Sequence, residues 1–435
     1  MSILEIVNTV NDFLVVPATF VFLATALILT VRMKFPQIRA FSHFIRLVRR
    51  GVTEKGVNNK TDTINPFHAL FTAMATTLGM GNIIGPSIAI ITGGPGALFW
   101  LLVYAFFGSV TKFTEVVCAL HTRVRMPDGH IVGGPMEYLR KVSPLVASWY
   151  GVAMLFLMAG WSGLQANTLA GIFAQEAIPH WITGCALALI VLLVLRGGVS
   201  RVGYIASKLV PVMSVLYISF ALFILLKNPI AFKNALFLVF SNIFSPSAAL
   251  GGFVGATVCQ AIRAGVYKSI FITEAGLGTS SIPHAMADVK VPTDQGILAM
   301  FSMGADAFLS LLSGFMVLVT GLWLDCGFSN TLMYEVFKLH SPVMGRFVLM
   351  MSIMLFVLTT AIGNCFNGSQ AFASFTKNRW MLVYQLFAVG IIFLGSLMSV
   401  PLIWSIMDTV LTFVAIPNLI GVLILAYRKP EWFKI

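Results

Sequence analysis

The sequence predicts an all-α polytopic membrane protein: about eleven transmembrane helices, with one N-terminal helix ahead of a 5+5 inverted-repeat core whose first and sixth helices are broken. Three observations predict it. Of 435 residues, 58% are hydrophobic and only 10% charged, and the mean hydropathy is +0.91, whereas soluble domains are roughly a quarter charged. Apolar runs of bilayer length recur along the whole chain. One of them, residues 66–92, carries no Asp, Glu, Lys or Arg, yet Gly79, Gly81, Asn82, Gly85 and Pro86 interrupt it, and such residues cost helix stability.

Taken in order, the first apolar run (13–30) follows Glu5 and Asp12 and precedes Arg32 and Lys34. A secretory leader has the opposite charge order, so this is an uncleaved first span. A window near 20 residues then places spans at 12–32, 66–92, 96–120, 147–175, 179–197, 205–227, 247–272, 297–325, 346–370, 380–400 and 405–427. Between the first two, Ile38, Phe41, Ile45 and Val48 recur at helical spacing with Arg39, Arg46, Arg49 and Arg50 elsewhere. That pattern predicts a basic amphipathic helix lying on membrane lipid at the inner surface.

With the N-terminus outside, inner segments hold 21 Lys/Arg and outer segments 4. The asymmetry predicts a multi-pass protein of the plasma (cell inner) membrane with its C-terminus in the cytoplasm. The formal charge of +12 does not indicate nucleic acid, because the basic residues sit between apolar spans and not on a soluble basic face. Five scattered cysteines without a C-x-x-C read as small packing residues.

Setting the first span aside leaves ten, dividing five and five, and an odd number per half inverts the second half relative to the first. The expected organisation is 1–64 (first helix and surface helix), 65–228 (first repeat), 229–427 (second repeat) and 428–435 (cytoplasmic tail). In the first repeat, Asn65 suits a helix cap and Pro66 the first turn. The second broken helix is expected to open near residue 247 and to break at Gly251, Gly252 and Gly255, with T-E-A-G-L-G-T-S-S (273–281) toward the cytoplasmic side. Broken backbone at membrane depth is tolerated where protein buries it or it lines a cavity, so the breaks predict a binding site.

At these stretches the sequence resembles the alanine or glycine:cation symporter family, also called the sodium:alanine symporters. The resemblance lies in A-T-T-L-G-M-G-N and G-G-P-G-A-L-F-W, G-G-P-M-E-Y-L at 133–139, L-Q-A-N at 164–167, E-A-G-L-G at 274–278 with Pro283 and His284, and A-I-P-N-L-I at 415–420. It spans nearly the whole chain. It implies the inverted-repeat fold of the bacterial leucine transporter and sodium-coupled uptake of small neutral amino acids such as alanine or glycine, with sodium the only accessory group. Thr359 and Thr360 would then hold the ion with the carbonyls of Ala75 and Leu78. Three positions depart from the family: Met80 replaces a small Thr, Thr273 an Asn, and Asn364 a Trp. The departures bear on substrate identity.

An amino-acid zwitterion needs donors for its carboxylate and acceptors for its ammonium. The half-helix starting near Asn82 presents free amides and a positive dipole end, which points to Thr77, Gly79, Gly81 and Asn82. Freed carbonyls near Gly252 and Gly255 would take the ammonium, with Gln165 and Asn364 lining the pocket. Each has a plain structural reading as well: glycines that let helices pack, an interhelical Gln165 hydrogen bond, and Thr hydroxyls bonded to their own helix. Glu115, one turn after Lys112, reads as an interfacial pair; Asp306, at the start of a span, and Asp408 would serve proton coupling instead of sodium; Glu274 reads as an inner-gate or capping group. An intramembrane hydrolase would need paired catalytic groups, and His68, His121 and His284 fall near span ends. Oligomeric state is not legible.

Overall fold

The structure, a computed structural model, describes residues 3–53, 63–126, 131–244, 258–324, 331–377 and 379–435. A long helix, α1 (Ile3–Arg32), comes first, then the short α2 (Pro36–Arg39) and the amphipathic α3 (Phe41–Thr53). Ile38 and Phe41 are exposed on that surface piece, while Phe44 stacks on Phe301 at 4.6 Å. The first broken helix is α4 (Pro66–Thr77) and α5 (Met80–Gly93), bent by 40°. Asn65 caps it as expected, its Oδ1 accepting from the Phe67 N–H at 2.8 Å.

Next come α6 (Ala97–Thr122), a two-stranded antiparallel ribbon of β1 (Val124–Arg125) and β2 (Ile131–Val132), α7 (Pro135–Arg140), α8 (Pro144–Ala174), α9 (His180–Leu195) and α10 (Gly198–Lys227). The second half holds α11 (Pro229–Ser241), α12 (Val258–Thr273), α13 (Ser281–Ala285), α14 (Pro292–Thr320), α15 (Leu332–His340), α16 (Met344–Thr376), α17 (Met381–Leu397) and α18 (Val400–Arg428). Among the described residues seven helices are long and apolar enough to cross a bilayer, and the α4–α5 pair makes an eighth. The spans expected at 179–197 and 380–400 are the shorter α9 and α17. Hydropathy did not single out α11, because its 13 residues fall below span length.

The two interrupted helices sit at the centre, with α5 packed on α12 and α14, α4 on α10 and α16, and α8 crossing against α16, α17 and α18. Lipid offers apolar side chains no less than a protein core does, so helices in it are held by close packing and buried polar contacts. Gly163 of α8 and Gly395 of α17 show the first: a Cβ on Gly395 would lie 2.5 Å from the Gly163 Cα. The second holds α1 to α18. There Asn11 Nδ2 donates to the Ser405 carbonyl at 2.8 Å, Ser405 Oγ donates to Asn8 Oδ1 at 2.6 Å and Thr409 Oγ1 donates to Asn11 Oδ1 at 2.7 Å. The last residues pack as well, Trp432 stacking on His121 at 4.6 Å.

Candidate functional site

In an unbroken helix the Gly79 N–H would bond back to the Ala75 carbonyl. Here it donates to Asn82 Oδ1 at 3.0 Å, while the Asn82 N–H returns to the Gly79 carbonyl at 3.1 Å. Asn82 Nδ2 donates onward to the Asp306 carbonyl at 3.2 Å. The side chain expected to meet a substrate is therefore spent on the cap that holds the break open. Removing a cap of this kind costs about 1 kcal/mol, so Asn82→Ala is expected to lower initial uptake rates several-fold, measured per unit of membrane protein. Unchanged rates would show that the break keeps its shape without the cap.

Gln165 of α8 reaches the same break, its Oε1 accepting from the Met80 N–H at 3.4 Å. Met80 is fully buried and sets its sulfur 3.2 Å from Thr168 Oγ1, so the thioether fills space against α8. From α16, Thr360 Oγ1 donates to the Leu78 carbonyl at 3.3 Å. This joins two of the four expected ion ligands, and both are hard oxygens of the kind that suits a small hard cation. Ala75 and Thr77 are buried beside them on α4. Thr359 departs from the expectation: its hydroxyl lies 2.9 Å from the Leu355 carbonyl and 3.0 Å from that of Phe356, with Met213 Sδ at 3.4 Å. A helical threonine satisfies itself in this way, and neighbouring positions on a helix point about 100° apart, so Thr359 faces α10 when Thr360 faces the break.

A second interruption follows α12. Gly252 and Gly255 lie outside the described residues, α12 runs unbroken from Val258 to Thr273, and the chain leaves the helix at Glu274. Glu274 has φ 57°, Gly276 φ 95° and Gly278 φ 79°, and helix resumes only at Ser281. This T-E-A-G-L-G-T-S-S segment lies against the first break: Glu274 Oε2 accepts from Thr76 Oγ1 at 3.3 Å and from the Thr279 hydroxyl. Its carbonyls are held from several sides, Ala275 by Tyr104 at 2.9 Å, Leu277 by Tyr150 at 2.6 Å and Gly276 by Asn418 at 2.9 Å.

Lys112 and Glu115 are interior, not interfacial, at 1% and 0% exposure. Lys112 Nζ donates to the Thr273 carbonyl at 3.2 Å and lies 3.9 Å from Asp306 Oδ2. Asp306 is in the middle of α14 and not at the start of a span. Glu115 Oε1 accepts from Asn418 Nδ2 at 2.7 Å. Asp408 is partnered by Lys268 at 3.1 Å beside a cavity of about 500 Å³. That cavity opens between α1, α12 and α18 and is lined by Trp404, which packs tilted on Phe271 at 5.0 Å, with Trp161 edge-on to Phe271 at 5.2 Å. Just after α6, Arg123 Nη1 donates to the Ala285 and Ala287 carbonyls at 3.0 and 2.8 Å. Burial lowers the pKa of that guanidinium.

Sequence reasoning missed three participants: Trp161, the Lys112–Asp306 pair and Asn367, whose Nδ2 donates to the Thr279 carbonyl at 3.4 Å. Trp161 was within reach, being one helical turn before Gln165 on the same face.

The profile of a known family, described as "Sodium:alanine symporter family", matches residues 1–431. The chain is 33% identical over 443 residues to the sodium/alanine symporter AgcS of Methanococcus maripaludis, covering 98% of this chain and 95% of that one. It is 30% identical over 436 residues to the probable sodium/glutamine symporter GlnT of Bacillus subtilis, covering 98% and 89%. Among solved structures, MhsT in complex with L-phenylalanine superposes with a TM-score of 0.63 at 16% identity, over 85% of this chain and 89% of that one, which establishes the fold of the bacterial leucine transporter. Two interrupted helices meeting at a buried, polar, oxygen-rich junction, within that fold and with matches running almost end to end, make the chain a member of the sodium:alanine symporter family, a family of transporters and not of enzymes.

Proposed function

We propose that the chain is a sodium-coupled symporter of small neutral amino acids, importing them by alternating access. It would lie in the cell inner membrane with its N-terminus outside, and the repeats would divide at 65–228 and 229–427. One observation carries the reading: α16 bridges the two breaks, Thr360 bonding the Leu78 carbonyl and Asn367 the Thr279 carbonyl. A substrate seated between the breaks and an ion held at the first one would share α4 and α16, so each would raise the affinity of the other. That reciprocal coupling lets a sodium gradient drive uptake. Gly79, Gly81, Thr77 and Gln165 would frame the zwitterion, and Leu78, Thr360 and Ala75 the ion. The cavity beside Lys268 and Asp408 would be the outer approach, shut from the site by Trp161, Phe271 and Trp404.

The relatives named for alanine and for glutamine share nearly equal identity with this chain, so overall likeness does not choose a side chain. The test is uptake of radiolabelled alanine, glycine and further neutral amino acids into proteoliposomes, under an inward sodium gradient and then with choline in its place. Uptake is expected to require sodium. Thr360→Val, which keeps the shape and removes the hydroxyl, is expected to raise the half-saturating sodium concentration about tenfold, the worth of one lost oxygen contact of 1–1.5 kcal/mol. Uptake that ignores sodium and follows a pH gradient would overturn sodium coupling and direct attention to Asp306, Asp408 and Glu115.

A further inference from the structure

We propose that the site takes a neutral amino acid whose side chain ends in a carboxamide, asparagine or glutamine, and that Asn364 is the group that reads it. The inference rests on the breaks being the substrate site, and it narrows the substrate class.

Asn364 stands in the middle of α16, fully buried, and neither its Oδ1 nor its Nδ2 has a hydrogen-bond partner. Buried side-chain amides in native proteins are nearly always paired, and an orphan calls for an explanation. Its neighbours along the helix each reach a break, although Asn367 Oδ1 is itself unpartnered. Thr360, four residues before, is bonded to the Leu78 carbonyl at the first break, and Asn367, three residues after, donates to the Thr279 carbonyl at the second. Positions 360, 364 and 367 form one stripe on a helix, so Asn364 sits on the face that spans the gap, level with the space between the breaks.

A second orphan faces the same region from α8. The Trp161 Nε1 is buried without an acceptor, and one turn later Gln165 reaches the Met80 N–H at the first break. The next residues along the two helices, Ser162 and Cys365, touch at 3.4 Å, which puts Trp161 and Asn364 at one depth. At Asn364 and Trp161 the wall opposite the breaks thus offers one free acceptor and two free donor groups, with Asn367 Oδ1 a further acceptor one turn on.

The breaks supply backbone amides and carbonyls for the charged ends of an amino acid, which leaves the α8–α16 wall to meet the side chain. A carboxamide has one acceptor oxygen and two N–H donors. Its oxygen can accept from Asn364 Nδ2 and the Trp161 indole while its N–H donates to Asn364 Oδ1, so all three orphans are paired. The alanine methyl leaves all three unpaired. A serine hydroxyl pairs part of the set. An acidic side chain, with acceptors only, opposes Asn364 Oδ1. Sites built to hydrogen-bond a substrate group discriminate strongly against analogues lacking it, because their own polar atoms are then left buried and unpaired.

The experiment measures sodium-dependent binding and uptake of asparagine, glutamine, serine and alanine by purified protein in proteoliposomes, for wild type, Asn364→Leu and Trp161→Phe. The readout is the ratio of alanine to amide half-saturating concentrations, taken within one preparation so that poor folding of a variant does not bias it. Asparagine or glutamine is expected to half-saturate at a concentration at least about tenfold below alanine. Asn364→Leu should erase that preference, and Trp161→Phe, which removes the N–H donor and keeps an aromatic ring, should weaken it. Alanine preferred over both amides, or a ratio unmoved by either variant, would overturn the inference and leave the symporter reading intact. Failure of every amino acid in the panel to bind or move in sodium would overturn the reading of the breaks as the substrate site, and the inference with it.

Discussion

Gly79→Val is expected to abolish sodium-driven uptake while the protein still reaches the membrane. Gly79 is the residue at which α4 ends and α5 begins, and it has room for nothing beyond hydrogen. A Cβ there would lie 2.5 Å from Thr360 Oγ1 and 3.3 Å from Gln165 Nε2. A valine must therefore displace the Thr360 side chain and crowd the Gln165 amide, which disturbs the Thr360 bond to the Leu78 carbonyl and the Gln165 bond to the Met80 N–H. A displacement near 1 Å at a binding constellation costs on the order of 100-fold in rate, and initial uptake should fall by at least that factor. Gly81→Leu presses on another neighbour, since its Cβ would meet the Phe271 ring at 2.9 Å. The measurement is initial uptake normalised to membrane-inserted protein, and wild-type rates in Gly79→Val would show that the break is not the transport site.

Lys112→Met is expected to destabilise the fold by about 3–5 kcal/mol, the usual cost of removing one partner from a buried ion pair. Asp306 has no hydrogen-bond partner for either carboxylate oxygen, and the Lys112 ammonium, 3.9 Å away, is the cation paired with it among the described residues. The same ammonium holds the Thr273 carbonyl at the end of α12, so its loss strands an interior charge and frees the helix end at the second interruption. Lys112→Met with Asp306→Asn should recover most of the loss, because the charge to be balanced disappears with its partner. Thermal unfolding of the detergent-solubilised single and double variants tests this. A single variant that melts with the wild type would remove Lys112 as the counter-charge of Asp306.

Glu115 and Glu274 show how far a sequence carries an argument about interior charge. Both lie in largely apolar text, and hydropathy treats a charge near a helix end as interfacial. The structure buries both and supplies partners distant in sequence: Asn418 from α18 for Glu115 and Thr76 from α4 for Glu274. No local pattern records such partners. Thr359 and Thr360 make the same point at one-residue resolution, since the pair reads identically in sequence and only helix phase relative to α4 and α10 separates them.

The sequence by itself determined the membrane class, the run of apolar helices, the amphipathic surface piece and the first broken helix, because each depends on local composition, cap chemistry and glycine placement. Tertiary structure alone decided which interruption faces the first. Glu274 to Ser280 is held beside Thr76 of the first broken helix by bonds from α4, α6, α8, α16 and α18. It also decided that Asn82 is a cap while Asn364, an identical side chain, is left unpaired. The physical reason is the same in both cases: a polar group inside a bilayer protein is defined by the partner it finds, and that partner comes from another helix.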